Sequence, residues 1–536
     1  MKLRRLSYFS LFFVLFLGFL NCAKRGTPTG GPKDETPPSI ISSRPENNTT
    51  NFKGNEIRIT FDEYIKLKDL QKQLIVSPPL EYTPIIYPQG SASKYIDIEI
   101  QDTLQENSTY VFNFGQSVVD NTEGNPYSYF SYVFSTGDYI DSLNLGGFVA
   151  DAELKKPDNF ISVMLYKIDT AFTDSIIYKK PPTYITNTLD SAVNFNLSNL
   201  KDGKYMLIAM KDNAGDHRFD PKSDKIAFLD HYIEVPNDTL YQLTLFKEIP
   251  AFRATRPNMA FKNMITFGYE GDPEGMEIKL LSDHPQDFKY TTIKASDKDS
   301  INYYFTPFET DSLLFEVGNK KFIDTFTVRI RDLYNDSLAF KAQNSGAIGL
   351  EEDFMISSNV PMESIDDAKI TIMDKDSVNV PFTFELDKVK NLLNLKWEKQ
   401  PEQKYRVEIL PESITDFFEK TNDTLKYGVS TKSLADLGSI RIKLRNVREF
   451  PLILQLTNDK GVVQYEQIVT AAGSVPEFKN IDPGNYLIRV IHDRNSNGKW
   501  DTGNYLKKIQ PEDISYYPES VELRANWEIE QTFTLE

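Results

Sequence analysis

The amino-acid sequence predicts an all-β chain of tandem β-sandwich domains, and three observations carry that expectation. Phe and Tyr are abundant, at 36 and 28 of 536 residues, and aromatic side chains favour strands. Apolar residues alternate with polar ones in short runs, the period of two that a half-buried strand requires. Pro and Gly break these runs, and no long stretch keeps a helical period. A chain of this length divides into several domains of roughly 100 residues each. It holds one cysteine, so no disulfide forms within it and each domain must rest on a packed apolar core.

The first element, residues 1–21, reads as a leader. Lys2, Arg4 and Arg5 precede an apolar run from Leu11 to Leu20, and Cys22 follows almost at once. The run is too short for a membrane-spanning helix, which needs about 20 apolar residues. A basic start, a short apolar core and a cysteine are the pattern of a lipoprotein signal peptide, with Cys22 as the lipidation site. Two or more acyl chains hold a protein durably to a bilayer. Asn21 stands where a small residue is usual and Phe19 where Leu is common; an ordinary secretory signal with an incidental cysteine is the alternative. Residues 22–38 are rich in Gly and Pro and read as a flexible tether. Ala23, where an Asp would retain a lipoprotein in the inner membrane, points to the outer membrane, with the periplasmic or cell-surface face left open.

Net charge is −17, and loss of Lys2, Arg4 and Arg5 with the leader takes it to −20. Such a surface repels phosphate backbones, which excludes nucleic acid as a partner. Membrane contact must then come from the lipid at Cys22 or from a protein partner, not from charge.

Residues 39–138 alternate as short strands. Ile57, Ile59 and Phe61 share one face, as do Ile96, Ile98 and Ile100, and Tyr110, Phe112 and Phe114; Tyr132-Val133-Phe134 closes the unit. This spacing indicates a two-sheet sandwich. Phe61-Asp62-Glu63, Val76-Ser77-Pro78-Pro79 and the Asp120-Asn121 to Asn125-Pro126 loop, with Gly30-Gly31-Pro32-Lys33-Asp34 before them, resemble the bacterial Ig-like domain of Bacteroidota outer-membrane lipoproteins. The resemblance implies architecture and compartment, and no single activity.

Residues 144–248 form a second unit. In it Gly203 and Tyr205 open a strand that runs into a polar loop with Asp212 and Asp220. Gly484, Tyr486, Asp493 and Asp501 repeat this arrangement in residues 436–536 at one fixed offset without a gap, an internal repeat. Both copies resemble the transthyretin-like (carboxypeptidase-regulatory-like) sandwich, which implies a non-catalytic stalk or binding module. Between them, residues 251–340 alternate at Met276, Ile278 and Leu280 and at Phe326, Val328 and Ile330. Residues 341–433 look like a decayed copy of the first domain, on the strength of Tyr405 to Ile409 and Gly428 to Thr431.

Two features point to chemistry. Asp493, Asn495, Asn497 and Asp501 occupy positions one, three, five and nine of a loop with Gly498 at six, and Lys499 offers a backbone carbonyl. Alternate oxygens of a tight turn suit a hard cation such as Ca²⁺, although position twelve is Asn504 rather than Glu and no helices flank the loop. The alternative is an Asx-rich loop that satisfies its own amides. The first copy has Ala214 at position three and keeps Asp212, Asp216 and Asp220.

The second feature is the tripeptide of Asp, then Ser or Thr, then Ala, Ile, Leu, Met, Thr or Val. It places hydroxyls at Thr103, Ser142, Thr170, Ser175, Ser191, Thr239, Ser300, Ser312, Ser337, Ser377 and Thr424. It resembles the O-glycosylation site of exported Bacteroidota proteins, and it equally marks turns that lead into strands.

The four histidines are scattered, with no His-Glu-x-x-His or nucleophile-elbow context, and there is no glycine-rich phosphate loop. The reading is a non-catalytic, lipid-anchored outer-membrane scaffold. Its expected partner is an outer-membrane β-barrel protein or an assembly complex, an accessory role in outer-membrane protein assembly. The alternative is a surface adhesin or glycan-binding lipoprotein.

Overall fold

The structure, a computed structural model, describes residues 34–188, 192–319, 321–334 and 337–535. The leader, Cys22 and the tether up to Lys33 lie outside the described residues, as does Ser191. Two compact units divide at Ser142/Leu143. The described residues are almost wholly strand and loop, with one short α-helix, Leu70–Gln73. No helix among them is long and apolar enough to cross a membrane.

The first unit is one sandwich. Its larger sheet orders Ile40–Arg44, Glu56–Leu67, Ser93–Glu99 and Ile85–Tyr87, with Val118–Asp120 also on Glu56–Leu67. Ile75–Ser77, Thr109–Asn113 and Ser131–Ser135 form the smaller sheet. Alternation places Ile57, Ile59, Phe61, Ile96, Ile98, Phe112 and Phe134 in one buried cluster between the sheets.

The second unit holds four sandwiches. In the first, Leu143–Asp151 lies between Asn194–Leu200 and a parallel partner, Leu240–Leu245. Its second sheet orders Tyr184–Asn187, Ser162–Lys167, Gly203–Lys211 and Lys225–Phe228, with Ile233–Val235 also on Gly203–Lys211. The last sandwich repeats this plan. Gly438–Arg445 lies between Glu477–Ile481 and a parallel partner, Glu528–Thr534. Beside it stand Val463–Val469, Leu452–Thr457, Gly484–His492 and Ile514–Leu523. The Tyr205 hydroxyl donates to the Lys201 carbonyl at 3.1 Å and the Tyr486 hydroxyl to the Asp482 carbonyl at 2.6 Å. Each ring meets a neighbouring tyrosine edge-on, with centroids 6.0 Å apart and planes at 63° in both copies.

The central sandwich orders Arg253–Ala254, Met264–Glu270, Ser300–Phe305 and Tyr290–Lys294 over Glu277–Leu280, Ser312–Asn319 and Phe322–Arg329. The sandwich after it has the strand order of the chain's first domain. Phe340–Ala342, Phe354–Ser358, Leu392–Lys396 and Thr383–Asp387 form one sheet, facing Ile370–Met373, Lys404–Ile409 and Leu425–Thr431. A hydrogen-bond net recurs with it. The Gln105 N–H donates to the Tyr110 hydroxyl at 2.9 Å and the Gln400 N–H to the Tyr405 hydroxyl at 2.7 Å. The Thr136 hydroxyl donates to the Gln105 carbonyl at 2.6 Å and the Thr431 hydroxyl to the Gln400 carbonyl at 2.5 Å.

The four sandwiches of this unit do not follow one another as beads. The last rests on the first, through two reciprocal contacts. Residues 153–155 of the first lie on the outer face of the last: Arg489 donates to the Glu153 carbonyl at 2.9 Å, the Tyr516 hydroxyl donates to the same oxygen, and Lys155 Nζ reaches the Tyr517 carbonyl at 3.1 Å. In return, residues 502–510 of the last lie on the sheet of the first. There Tyr505 is wholly buried, its ring edge-on to Phe228 at 5.3 Å.

Candidate functional site

The two polar loops are built alike. In the second, Asp493 is 2% exposed and its carboxylate accepts the Asn497 N–H at 3.1 Å and the Gly498 N–H at 2.8 Å. Asn497 Oδ1 accepts the Lys499 N–H at 3.0 Å, and Asn495 Oδ1 accepts the Asn497 N–H at 3.1 Å. The amide nitrogens of Asn495 and Asn497 both donate to Asp501 Oδ2, at 2.5 and 2.7 Å.

Oxygens of Asp493, Asn495, Asn497 and Asp501 thus accept from the loop's own donors. Two –NH₂ groups point to the carboxylate that would be a principal ligand. Among the described residues no group of three or more His, Cys, Asp or Glu gathers as a metal site. As arranged, Asp493, Asn495, Asn497, Lys499 and Asp501 form an Asx loop that satisfies its own donors.

An acid from outside the expected motif completes each loop. Glu512, 6% exposed, accepts the Arg494 N–H at 2.8 Å and the Asp501 N–H at 3.1 Å. In the first copy Asp224, fully buried, accepts the Asn213 N–H at 3.1 Å and the Asp220 N–H at 2.9 Å. The two acids play one part, yet Asp224 follows Asp220 by four residues and Glu512 follows Asp501 by eleven. The gapless alignment therefore ends at Asp220/Asp501, and the extra length lies in residues 502–511 of the second copy. Trp500 is half-buried and donates its indole N–H to the Glu512 carbonyl at 2.9 Å; Phe219 is buried.

Of the hydroxyls in the repeated tripeptide, Thr103, Ser142, Thr170, Thr239, Ser312, Ser337, Ser377 and Thr424 are exposed. Ser175 is half-buried in a 3₁₀ turn, Asp174–Tyr178. Ser300 is 5% exposed at the start of its strand, so it lacks the accessibility that attachment of a sugar requires.

The sequence motifs gave no sign of a cleft of about 640 Å³ between the central sandwich and the one after it. Phe261, Phe288, Phe308, Phe417 and Phe418 line it, with Lys289, Lys420, Asp287 and Glu419 around them. Phe417 and Phe418 come from the loop after Ile414–Asp416. Its counterpart in the first domain, the loop after Val118–Asp120, carries Asn121, Thr122, Glu123 and Gly124 instead. In both loops the leading Asp accepts successive N–H groups: Asp120 from Thr122, Glu123, Gly124 and Asn125, and Asp416 from Phe418 and Lys420. The Tyr304 hydroxyl crosses to the Asn359 carbonyl at 3.0 Å and ties the two walls. The size and the ring lining suit a small ligand or a peptide side chain.

These features define a tandem β-sandwich protein. Residues 34–136 match the bacterial Ig-like domain family, Big_5. No curated protein matches the chain. Solved structures similar to it include domains 1–6 of the surface layer protein SbsC, at 10% identity over 91% of this chain and 68% of that one, with a TM-score of 0.14. The major pilin subunit BcpA of Bacillus cereus is 9% identical over 73% of this chain and 99% of that one, with a TM-score of 0.14. The I9–I11 tandem of titin is 9% identical over 52% and 100%, with a TM-score of 0.12.

Proposed function

We propose that this chain is a non-catalytic, lipid-anchored scaffold lipoprotein of the outer membrane, with Cys22 as its anchor and transthyretin-like modules at 144–248 and 436–536. Its partner is an outer-membrane β-barrel protein or an assembly complex. The observation that carries this reading is the closure of four sandwiches on one another. A body whose first and last sandwiches are held together presents a fixed surface, as a docking subunit needs and a flexible stalk does not.

Two experiments test it. Cys22→Ser removes acyl labelling and shifts the protein from the membrane to the soluble fraction; retention of both in the variant overturns the anchor. Purification from detergent-solubilised membranes recovers a barrel protein in constant ratio; recovery of the lipoprotein alone overturns the scaffold role.

The ring-lined cleft favours a second reading, a surface adhesin that binds glycan. Rings that stack on sugar faces would serve it, and a glycan array with no signal, with and without Ca²⁺, removes it.

A further inference from the structure

The seven residues by which the second polar loop exceeds the first are not a random surface extension. They close on themselves: the Asn504 N–H donates to the Ile509 carbonyl at 2.7 Å, the Ile509 N–H to the Asn504 carbonyl at 2.9 Å, and the Lys508 N–H to the Tyr505 carbonyl at 3.0 Å. The turn thus needs no partner for its own shape, and Leu506 and Ile509 remain exposed.

Its contacts with the first repeat are of a different kind. The Thr502 hydroxyl donates to the Lys247 carbonyl at 2.6 Å, the Gln510 side chain to the Phe228 carbonyl at 2.9 Å, and the Tyr505 N–H to the Glu248 carboxylate. The Tyr505 hydroxyl reaches the Asp174 carbonyl at 2.9 Å, and Lys508 pairs with the Asp174 carboxylate at 2.9 Å. Gly503 fits because a Cβ there would stand 2.7 Å from the Phe246 ring and from the Ile509 carbonyl oxygen. Among the described residues no strand of one repeat pairs with a strand of the other.

We infer that residues 502–510 are a strap: a preformed turn whose single buried tyrosine, its hydroxyl 3.0 Å from Met206 Sδ and its ring edge-on to Phe228, plugs a socket of the first repeat and holds the four sandwiches closed, and whose release opens that arrangement while every sandwich stays folded. Neither repeat needs the contact to complete a sheet, so opening costs the contacts of the strap and those of residues 153–155 with Arg489, Tyr516 and Tyr517, and no strand pairing. Local openings of this kind occur below the free energy of global unfolding.

The test uses the full chain and two variants. Tyr505→Ser empties the socket, and a second variant without residues 503–509 gives the second loop the length of the first. Circular dichroism is expected to stay that of a folded β protein in both. Small-angle scattering is expected to show a larger radius of gyration than for wild type. Trypsin cleavage after Lys507 and Lys508 in Tyr505→Ser should quicken about tenfold or more, the factor that about 1.4 kcal/mol of lost contact gives. An unchanged scattering profile in both variants overturns the strap. So does loss of folding in both, because the turn would then be part of a core and not a device laid upon it.

Discussion

Tyr110 and Tyr405 each accept a backbone N–H five residues upstream, at 2.9 and 2.7 Å, and the threonine beside each tyrosine fastens the same corner. Thr431→Val removes the donor to the Gln400 carbonyl and the acceptor for the Gln403 N–H. It should lower stability by about 1–2 kcal/mol in denaturant unfolding. Asp224→Ala strips a fully buried acceptor from two N–H groups and from the Ser223 hydroxyl. A cost of about 2–3 kcal/mol is expected from donors left unpaired. The second loop, satisfied from within by Asp493, Asn497 and Glu512, should melt at the same temperature with millimolar Ca²⁺ as with chelator; a calcium-dependent rise in Tm would instead support the cation reading. Glu248 titrates in the opposite sense to a paired surface acid. Burial raises its carboxyl above the ordinary value of 4.5, and nearby Lys507 opposes this. The folded state therefore binds more protons than the unfolded one above pH 4.5, and this contribution to stability is lost as pH rises through the raised value. Glu248→Gln should flatten the stability profile there, as urea midpoints at stepped pH would record.

Strands that bury one face were legible in the sequence, because a period of two marks them residue by residue: Ile57, Ile59 and Phe61 all lie in the core. Strands covered on both faces were legible only when both faces are apolar. Gly203–Lys211 is buried from Tyr205 to Met210, and its unbroken apolar run carried that signal. Leu452–Thr457 is also buried throughout, but Gln455 and Thr457 occupy its outer face, where polar residues read as solvated. Arg489 donates to Gln455 Oε1 at 2.6 Å and carries the link on to Glu153, a contact that no local pattern encodes. Glu512 stayed hidden for a simpler reason: it stands seven residues beyond the place that the fixed offset assigns. In each related pair the later copy bears the added aromatic groups, Phe417 and Phe418 in one and Tyr505 in the other, and in each these meet another sandwich. Close packing also limits substitution inside the strands. At Gly147 a Cβ would lie 2.1 Å from the Tyr241 carbonyl oxygen, so Gly147→Ala should part the parallel pair it belongs to and cost more than the roughly 2 kcal/mol of ordinary core changes.

At the scale of the whole molecule, composition and alternation gave the fold class, and the match at residues 34–136 fixes the type of its first domain. What no residue pattern conveyed was the return of the last sandwich to the first. That return alters how the second unit would answer to mechanical force. Pulled between residue 143 and residue 535, a linear string would stretch its linkers and then unravel its weakest member. Here the shorter route runs directly from one repeat to the other, across Tyr505 and Arg489, and most of the load takes it. The two middle sandwiches are shielded until that junction yields, so a pulling record should begin with one small, early extension before any sandwich gives way.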